Sequence, residues 1–272
     1  AYQALLPNLS EYYTQLGQHV PLYQSYQHVH DASIFDTLPP AQQSAIKLAL
    51  RDFKLSGVAL EGDAKKRYAE ISARLSQLSS DFSNHVLDAT QVYFKPLTEE
   101  QLEGLPTSSI ELLKQYGQQR DLDQAVATLD MPSYIAIMTY AKDRAVREAL
   151  YHAYTTRASE LGRHPEFDNT PVMQEILALR QEMAQLLGFQ NYAELSLASK
   201  MAPSVKSVQD FLIDLAQHAR LPAEHDMTEL TNIAKQDGID DLQPWDTGYY
   251  SEKLKVAKFN LSQEDLKPYF PA

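Results

Sequence analysis

Apolar residues in this chain recur mostly at spacings of three and four. Leu5, Leu9, Tyr12, Leu16 and Val20 share one helical face, so the pattern predicts a helix over 5–22. Pro39 and Pro40 open a second helix, with Ala45, Leu48, Ala49 and Phe53 inward and Gly57 following it. The longest helix is predicted over 64–89, on a nearly heptad stripe of Tyr68, Ile71, Leu75, Leu78, Phe82 and Val86. Then the period changes. Residues 90–95 and 126–129 are short, rich in β-branched and aromatic side chains, and bounded by Pro and Asp, which predicts two paired strands. Between them, 98–119 reads as helical, with Thr98 and Gln101 at capping-box spacing.

After Pro132 the helical period returns over 143–159, 171–187, 207–221 and 222–236. Thr170 suits an N-cap, Pro171 the first turn and Gly188 a left-handed stop. Ser207 with Asp210 is the expected cap of the next helix, whose face is Val208, Phe211, Leu212, Leu215 and Ala219. Residues 164–168 read as a surface loop. No repeat and no linker interrupts the chain, so 1–272 reads as a single helical lobe without an internal boundary. The fold class is mainly α: a multi-helix domain with a small β element.

Composition narrows the function classes. Only 9 glycines occur in 272 residues, which suits helix. A net charge of -12 argues against nucleic acid and anionic membranes, both of which need a basic surface. No apolar run reaches the roughly 20 residues of a membrane span. Absence of cysteine excludes disulfides, thiolate zinc sites and cysteine nucleophiles. With no signal peptide in view, a cytoplasmic location is the expectation. The start Ala1-Tyr2-Gln3 and the end Tyr269-Phe270-Pro271-Ala272, with no closing helix, read as cut points within a longer chain.

Candidate chemistry is sparse. A zinc-protease helix needs two histidines at i and i+4, and none of the 8 histidines forms such a pair. His28 and His30, followed by Asp31, come closest. On a helix they would point about 200° apart, so only a strand or turn could bring them together, and a solvated loop is the plain alternative. No Glu-x-x-His motif of a di-iron bundle occurs. Asp81 with His85, Glu148 with His152 and Asp214 with His218 stand at i, i+4, which suits a base and its orienting carboxylate or simply an exposed helical flank. No Gly-x-Ser-x-Gly elbow or Gly-rich phosphate loop accompanies them. Arg180 falls on the face of Met173, Ile176, Leu177, Met183 and Leu187. It packs its stem there, pairs with a carboxylate, or faces a groove. The 16 tyrosines, concentrated near Trp245-Asp246-Thr247-Gly248-Tyr249-Tyr250, suit core edges or the wall of a peptide channel.

Three segments add a resemblance. They are Leu129-Asp130-Met131-Pro132-Ser133-Tyr134 leading to Arg147, Tyr151, Tyr154, Thr156 and Arg157; Leu187-Gly188-Phe189 with Asn191-Tyr192-Ala193 and Lys200-Met201-Ala202; and Gln243-Pro244-Trp245-Asp246 with Tyr249-Tyr250-Ser251-Glu252-Lys253. In this order they resemble the oligopeptidase A branch of the thimet oligopeptidase family of zinc metallopeptidases. The resemblance implies a neurolysin/thimet-oligopeptidase-like helical lobe of a two-lobed enzyme whose deep channel admits short peptides. It implies a zinc-bound water activated by a His-Glu-x-x-His motif, which occurs nowhere in these 272 residues. The chain is therefore expected to be a piece ending before that motif, with no catalytic residue, no metal ligand and no zinc of its own. Zinc belongs to the full-length parent, and the partners are short peptides and the missing C-terminal catalytic portion. The substrate-binding residues are unknown, with Arg180, Tyr249 and Tyr250 as candidates. A stand-alone, non-catalytic helical module that binds peptides or proteins is the alternative. A lobe of a larger enzyme should also show an exposed apolar patch.

Overall fold

A computed structural model describes residues 2–262 and Tyr269, leaving aside the side chains of residues 2–4. The reading of 269–272 as a non-helical end lies outside the described residues, Tyr269 apart. The elements are α1 (Tyr2–Gly17), α2 (Val20–Asp31), α3 (Pro40–Leu55), α4 (Gly62–Gln91), β1 (Phe94–Pro96), α5 (Thr107–Gln118), β2 (Val126–Thr128), α6 (Met131–Tyr140), α7 (Arg144–Thr155), α8 (Thr170–Leu186), α9 (Tyr192–Leu197), α10 (Val205–Gln236) and α11 (Pro244–Phe259). Short 3-10 turns lie at Phe35–Thr37, Glu100–Leu102 and Pro165–Phe167. The fold is mainly α with a small β element, as the periodicity predicts. Contacts gather into two compact units, one of residues 1–83 and 170–214, the other of 84–169 and 215–272.

The first unit is built on the seam between α4 and α8. Ile71, Leu78 and Leu179 are buried there, with Leu75, Ile176 and Met183 packed against them, so Ile71, Leu75 and Leu78 of the predicted α4 stripe enter this core. Two forked ion pairs flank the seam: Arg67 donates to Glu182 at 2.6 and 2.8 Å, and Arg74 to Glu175 at 2.6 and 2.7 Å. The end of α8 follows the predicted stop. Gly188 takes φ +82°, and the N–H groups of Phe189 and Gly188 donate to the carbonyls of Ala184 (2.9 Å) and Gln185 (3.0 Å). Elsewhere in this unit, Phe53 of α3 meets Tyr23 and Tyr26 of α2 with ring centroids 5.9 and 5.8 Å apart.

Four expectations change in this unit. The helix predicted over 5–22 is two helices, because His19 Nδ1 accepts the Leu22 N–H at 3.1 Å and Pro21, having no N–H, fits the first turn of a new one. That second helix carries His28 and His30 in its last turn, so the stretch expected to be a loop is helical. On α3, Ala45 and Leu48 are exposed, and Leu50 is the buried residue, next to the half-buried Ala49. The cap of α10 also lies one turn earlier than Ser207 alone implied. Ser204 and Ser207 exchange backbone-to-hydroxyl hydrogen bonds at 3.1 and 3.2 Å.

The second unit centres on the two strands. They pair antiparallel, with Phe94 opposite Thr128, Lys95 opposite Ala127 and Pro96 opposite Val126. Around them a core of Leu97, Leu113, Leu129, Ile137, Val146 and Leu150 joins α5, α6 and α7. The buried Ser133 hydroxyl accepts the Thr128 N–H at 2.9 Å, tying β2 to the first turn of α6. A smaller cluster of Leu230, Ala234 and Tyr250 joins the end of α10 to α11.

Here too the sequence reading needs correction. The segment 98–119 is broken: Thr98 and Gln101 do form the reciprocal capping bonds (3.1 and 3.4 Å), but on a 3-10 turn, and α5 starts only after Pro106. The helices predicted on either side of Pro222 are one helix, with Pro222 inside it, in a stretch (209–228) that is exposed to solvent. Of the face predicted there, Phe211, Leu212 and Leu215 are more than half exposed. Helices α6 and α11 were not foreseen. The α6 segment Met131–Tyr140 has no polar face to give a period. In α11, Gly248 argues against helix by propensity, yet a Cβ there would lie 3.1 Å from the Met138 carbonyl oxygen, so the close approach of α11 to α6 favours glycine.

Candidate functional site

The most elaborate polar structure in the chain joins α7 to α11. Asp143 caps α7 by accepting the N–H groups of Ala145 and Val146 at 2.9 and 3.2 Å. One turn on, Arg144 and Arg147 stand three residues apart and reach the same carboxylate. Arg144 donates to Asp246 through Nε (3.0 Å to each oxygen) and Nη2 (2.7 Å). Arg147 donates to it through Nη2 at 2.8 Å. Asp246 is fully buried and Arg147 nearly so. The remaining donors of Arg147 reach the carbonyls of Ala141 (2.6 Å), Lys142 (3.2 Å) and Trp245 (3.2 Å), so its fork is satisfied. Burial pushes the Asp246 carboxyl up, but the hydrogen bonds from Arg144, Arg147 and the Gln243 N–H prevail and hold it below the usual carboxylate range.

Tyr249 and Tyr250 flank this cluster. The Arg147 guanidinium lies 4.3 Å from the Tyr249 ring centroid, and Tyr249, half-buried, borders a hollow of about 450 Å³ with Tyr140, Lys142, Ile233 and Lys253. Tyr250 is 2% exposed and belongs to the core. Burial, reinforced by Asp237, pushes its hydroxyl up to about 12, and Asp237 is held low by the hydrogen bond from Lys253. In the first unit, Arg180 lines an apolar hollow of about 400 Å³ with Phe82, Met173, Ile176 and Leu177. Its guanidinium lies 4.8 Å from the Tyr192 ring centroid, so it faces a groove and an aromatic face.

The histidine candidates do not converge. His30 pairs with its neighbour Asp31 at 2.9 Å, and His28 sits two residues away on the same helix. His85 bonds Asn169 at 2.9 Å, while Asp81 accepts from Gln77 at 2.8 Å, so this acid–base pair is not made. Glu148 and His152 approach to 4.0 Å on an exposed flank. Asp214 and His218 both lie on α10. Among the described residues no group of three or more His, Cys, Asp or Glu side chains is placed to hold a metal ion. The donor set of the described residues does not fit a zinc centre.

What the arrangement offers is hollows, one lined by Arg180 and one by Tyr140 and Tyr249. The Arg144–Asp246–Arg147 cluster was missed in the sequence. Each half left a local signal, the Arg-x-x-Arg spacing on α7 and the capping-box spacing of Gln243 with Asp246, which the structure realises, but nothing local joins the two.

The family description "Peptidase family M3" matches residues 137–272, half of the chain, and "Neurolysin/Thimet oligopeptidase, N-terminal domain" matches residues 1–65. Over 274 aligned residues the chain is 48% identical to "Oligopeptidase A" of Escherichia coli strain K12, covering 100% of this chain and 40% of that protein. It is 47% identical to "Oligopeptidase A" of Haemophilus influenzae over the same shares. It is 36% identical to "Probable cytosolic oligopeptidase A" of Arabidopsis thaliana, over 99% of this chain and 39% of that protein. The chain thus spans about 40% of the length of the curated relatives it matches. The three segments that carried the resemblance point the same way as both family matches: this chain belongs to peptidase family M3.

Proposed function

We propose that residues 1–272 form one helical, non-catalytic portion of a zinc-dependent oligopeptidase that hydrolyses short peptides, and that they supply channel wall. The observation that carries this reading is the 48% identity to oligopeptidase A along the whole chain. Zinc and the residues that hold it are assigned to the C-terminal catalytic portion of the enzyme, which is the first partner of this one; short peptides are the second. The tyrosine- and arginine-lined hollows support a wall role, because hydroxyl and guanidinium donors suit peptide carbonyls. The exposed apolar residues Phe211, Leu212, Ile213 and Leu215 on α10 support contact with further protein. We place the enzyme in the cytoplasm. A cysteine-free chain and the absence, among the described residues, of a helix long and apolar enough to cross a membrane are compatible with that.

The test is equilibrium dialysis against zinc, with a quenched fluorescent peptide assayed in parallel. The 272-residue chain is expected to hold no stoichiometric zinc and to cleave nothing, whereas the full-length gene product does both. One tightly held zinc per chain with chelator-sensitive cleavage would overturn the reading.

A further inference from the structure

The chain carries an excess of acid, and its arginines mostly reflect this. Of the ten, Arg51, Arg67, Arg74, Arg144, Arg147 and Arg220 each pair with a carboxylate. Among the described residues Arg120, Arg157, Arg163 and Arg180 do not. Two of those four, Arg157 and Arg163, line one cavity of about 430 Å³ in the second unit, together with Tyr93, His152, Thr156 and His164. In a protein of net charge -12, two uncompensated guanidiniums on one small cavity are unexpected.

Each guanidinium lies over a tyrosine ring. The Arg157 carbon lies 3.6 Å from the Tyr154 ring centroid, and one Nη of Arg157 donates to the Tyr154 carbonyl. Its Nε is shut off from water and has no acceptor. A buried donor left unmet is destabilising. Arg163 lies 5.4 Å from the Tyr93 centroid. A guanidinium stacked on an aromatic face keeps in-plane donors that match the two oxygens of a carboxylate or phosphate. Two carboxylates of this region are engaged with histidines: Glu166 lies 3.2 Å from His164 and Glu148 lies 4.0 Å from His152. The Thr156 hydroxyl is used locally, donating to the His152 carbonyl at 2.7 Å.

We propose that this cavity is a small-oxyanion site, in which Arg157 and Arg163 together bind the carboxylate of a short organic acid or peptide terminus, or a free phosphate. The proposal is independent of the zinc chemistry assigned above, since the site lies wholly within residues 89–164. Calorimetric titration of the 272-residue chain tests it, with three probes: inorganic phosphate, N-acetyl-dialanine as the free acid, and the same compound as its C-terminal amide. Saturable binding of phosphate, of the free acid or of both is expected, with none for the amide; which anion binds identifies the source. Arg163→Gln, at an exposed position, and Arg157→Gln are each expected to weaken that binding tenfold or more, and Arg157→Lys less, with circular dichroism unchanged. If Arg157→Gln fails to fold, Arg163→Gln decides alone. Absence of saturable binding by either anion, equal binding of the amide, or full binding by Arg163→Gln would overturn the proposal.

Discussion

Two sets of arginine–carboxylate contacts hold helices together in this chain, and they differ in almost everything but geometry. Between α4 and α8, Arg67–Glu182 and Arg74–Glu175 are forked, short and open to solvent on both sides. Between α7 and α11, Arg144 and Arg147 converge on an Asp246 that has no exposed surface. Water screens the first set and pays in advance for its loss; in the second, removing one partner strands charge in the interior. Helix pairing in the first unit therefore rests on Ile71, Leu78 and Leu179, and the ion pairs decorate the rim. In the second unit the polar cluster is itself part of the core.

The sharpest way to break that contrast is Asp246→Ala. It leaves two guanidiniums facing each other, one of them buried, and should cost about 3–5 kcal/mol in urea unfolding. A loss near zero would show that water reaches the cluster. The matching change in the other unit is Ile71→Ala, which removes a fully buried side chain from the α4–α8 seam and should cost about 2–5 kcal/mol, read from the same transition.

Acid sharpens the comparison further. The folded-state pKa of Asp246 is depressed, so its contribution is present above the unfolded value of about 4 and is lost as pH falls through the folded value. The stability gap between the wild type and Asp246→Asn should accordingly be constant near neutrality and narrow only below about pH 4. A gap that narrows between pH 6 and 8 would mean that another group governs the cluster. The smallest effect belongs to Glu175→Gln: its pKa is lowered by the Arg74 hydrogen bond, yet at this exposed rim the variant should unfold within error of the wild type, and salt should erase any residue of difference.

These two regions were not equally legible. The α4 stripe, the α8 stop at Gly188 and β2 could be read because each is written in neighbouring residues: a period of three and four, a glycine after the last apolar residue, the β-branched Val126 and Thr128. Strand β1 was placed too early, since Thr90 and Gln91 end α4 and the strand is Phe94–Pro96. Helix α6 hid because it has no polar face to give a period, and α11 because a glycine that suits close packing reads locally as a breaker. The break between α1 and α2 hid behind an apolar face that continues across it, with only His19 and Pro21 as signs. The arginine cluster was out of reach for another reason. Asp246 lies 102 residues from Arg144 and 99 from Arg147, and no local pattern links positions so far apart. The cavity with Arg157 and Arg163 was equally silent, since an unpaired arginine can be recognised only after its surroundings are known.

Asp246 has one more role. The same carboxylate that receives both arginines also accepts the Gln243 N–H at 3.0 Å, closing the capping box at the start of α11. Fraying of that first turn therefore cannot happen alone: it withdraws the anchor from α7 at the same moment. In native-state hydrogen exchange the first-turn amides of α11 and the interior amides of α7 should open as one cooperative unit, with equal free energies and the same dependence on denaturant. A helix start that elsewhere would be the loosest part of the element becomes, through one shared side chain, a hinge pin for two.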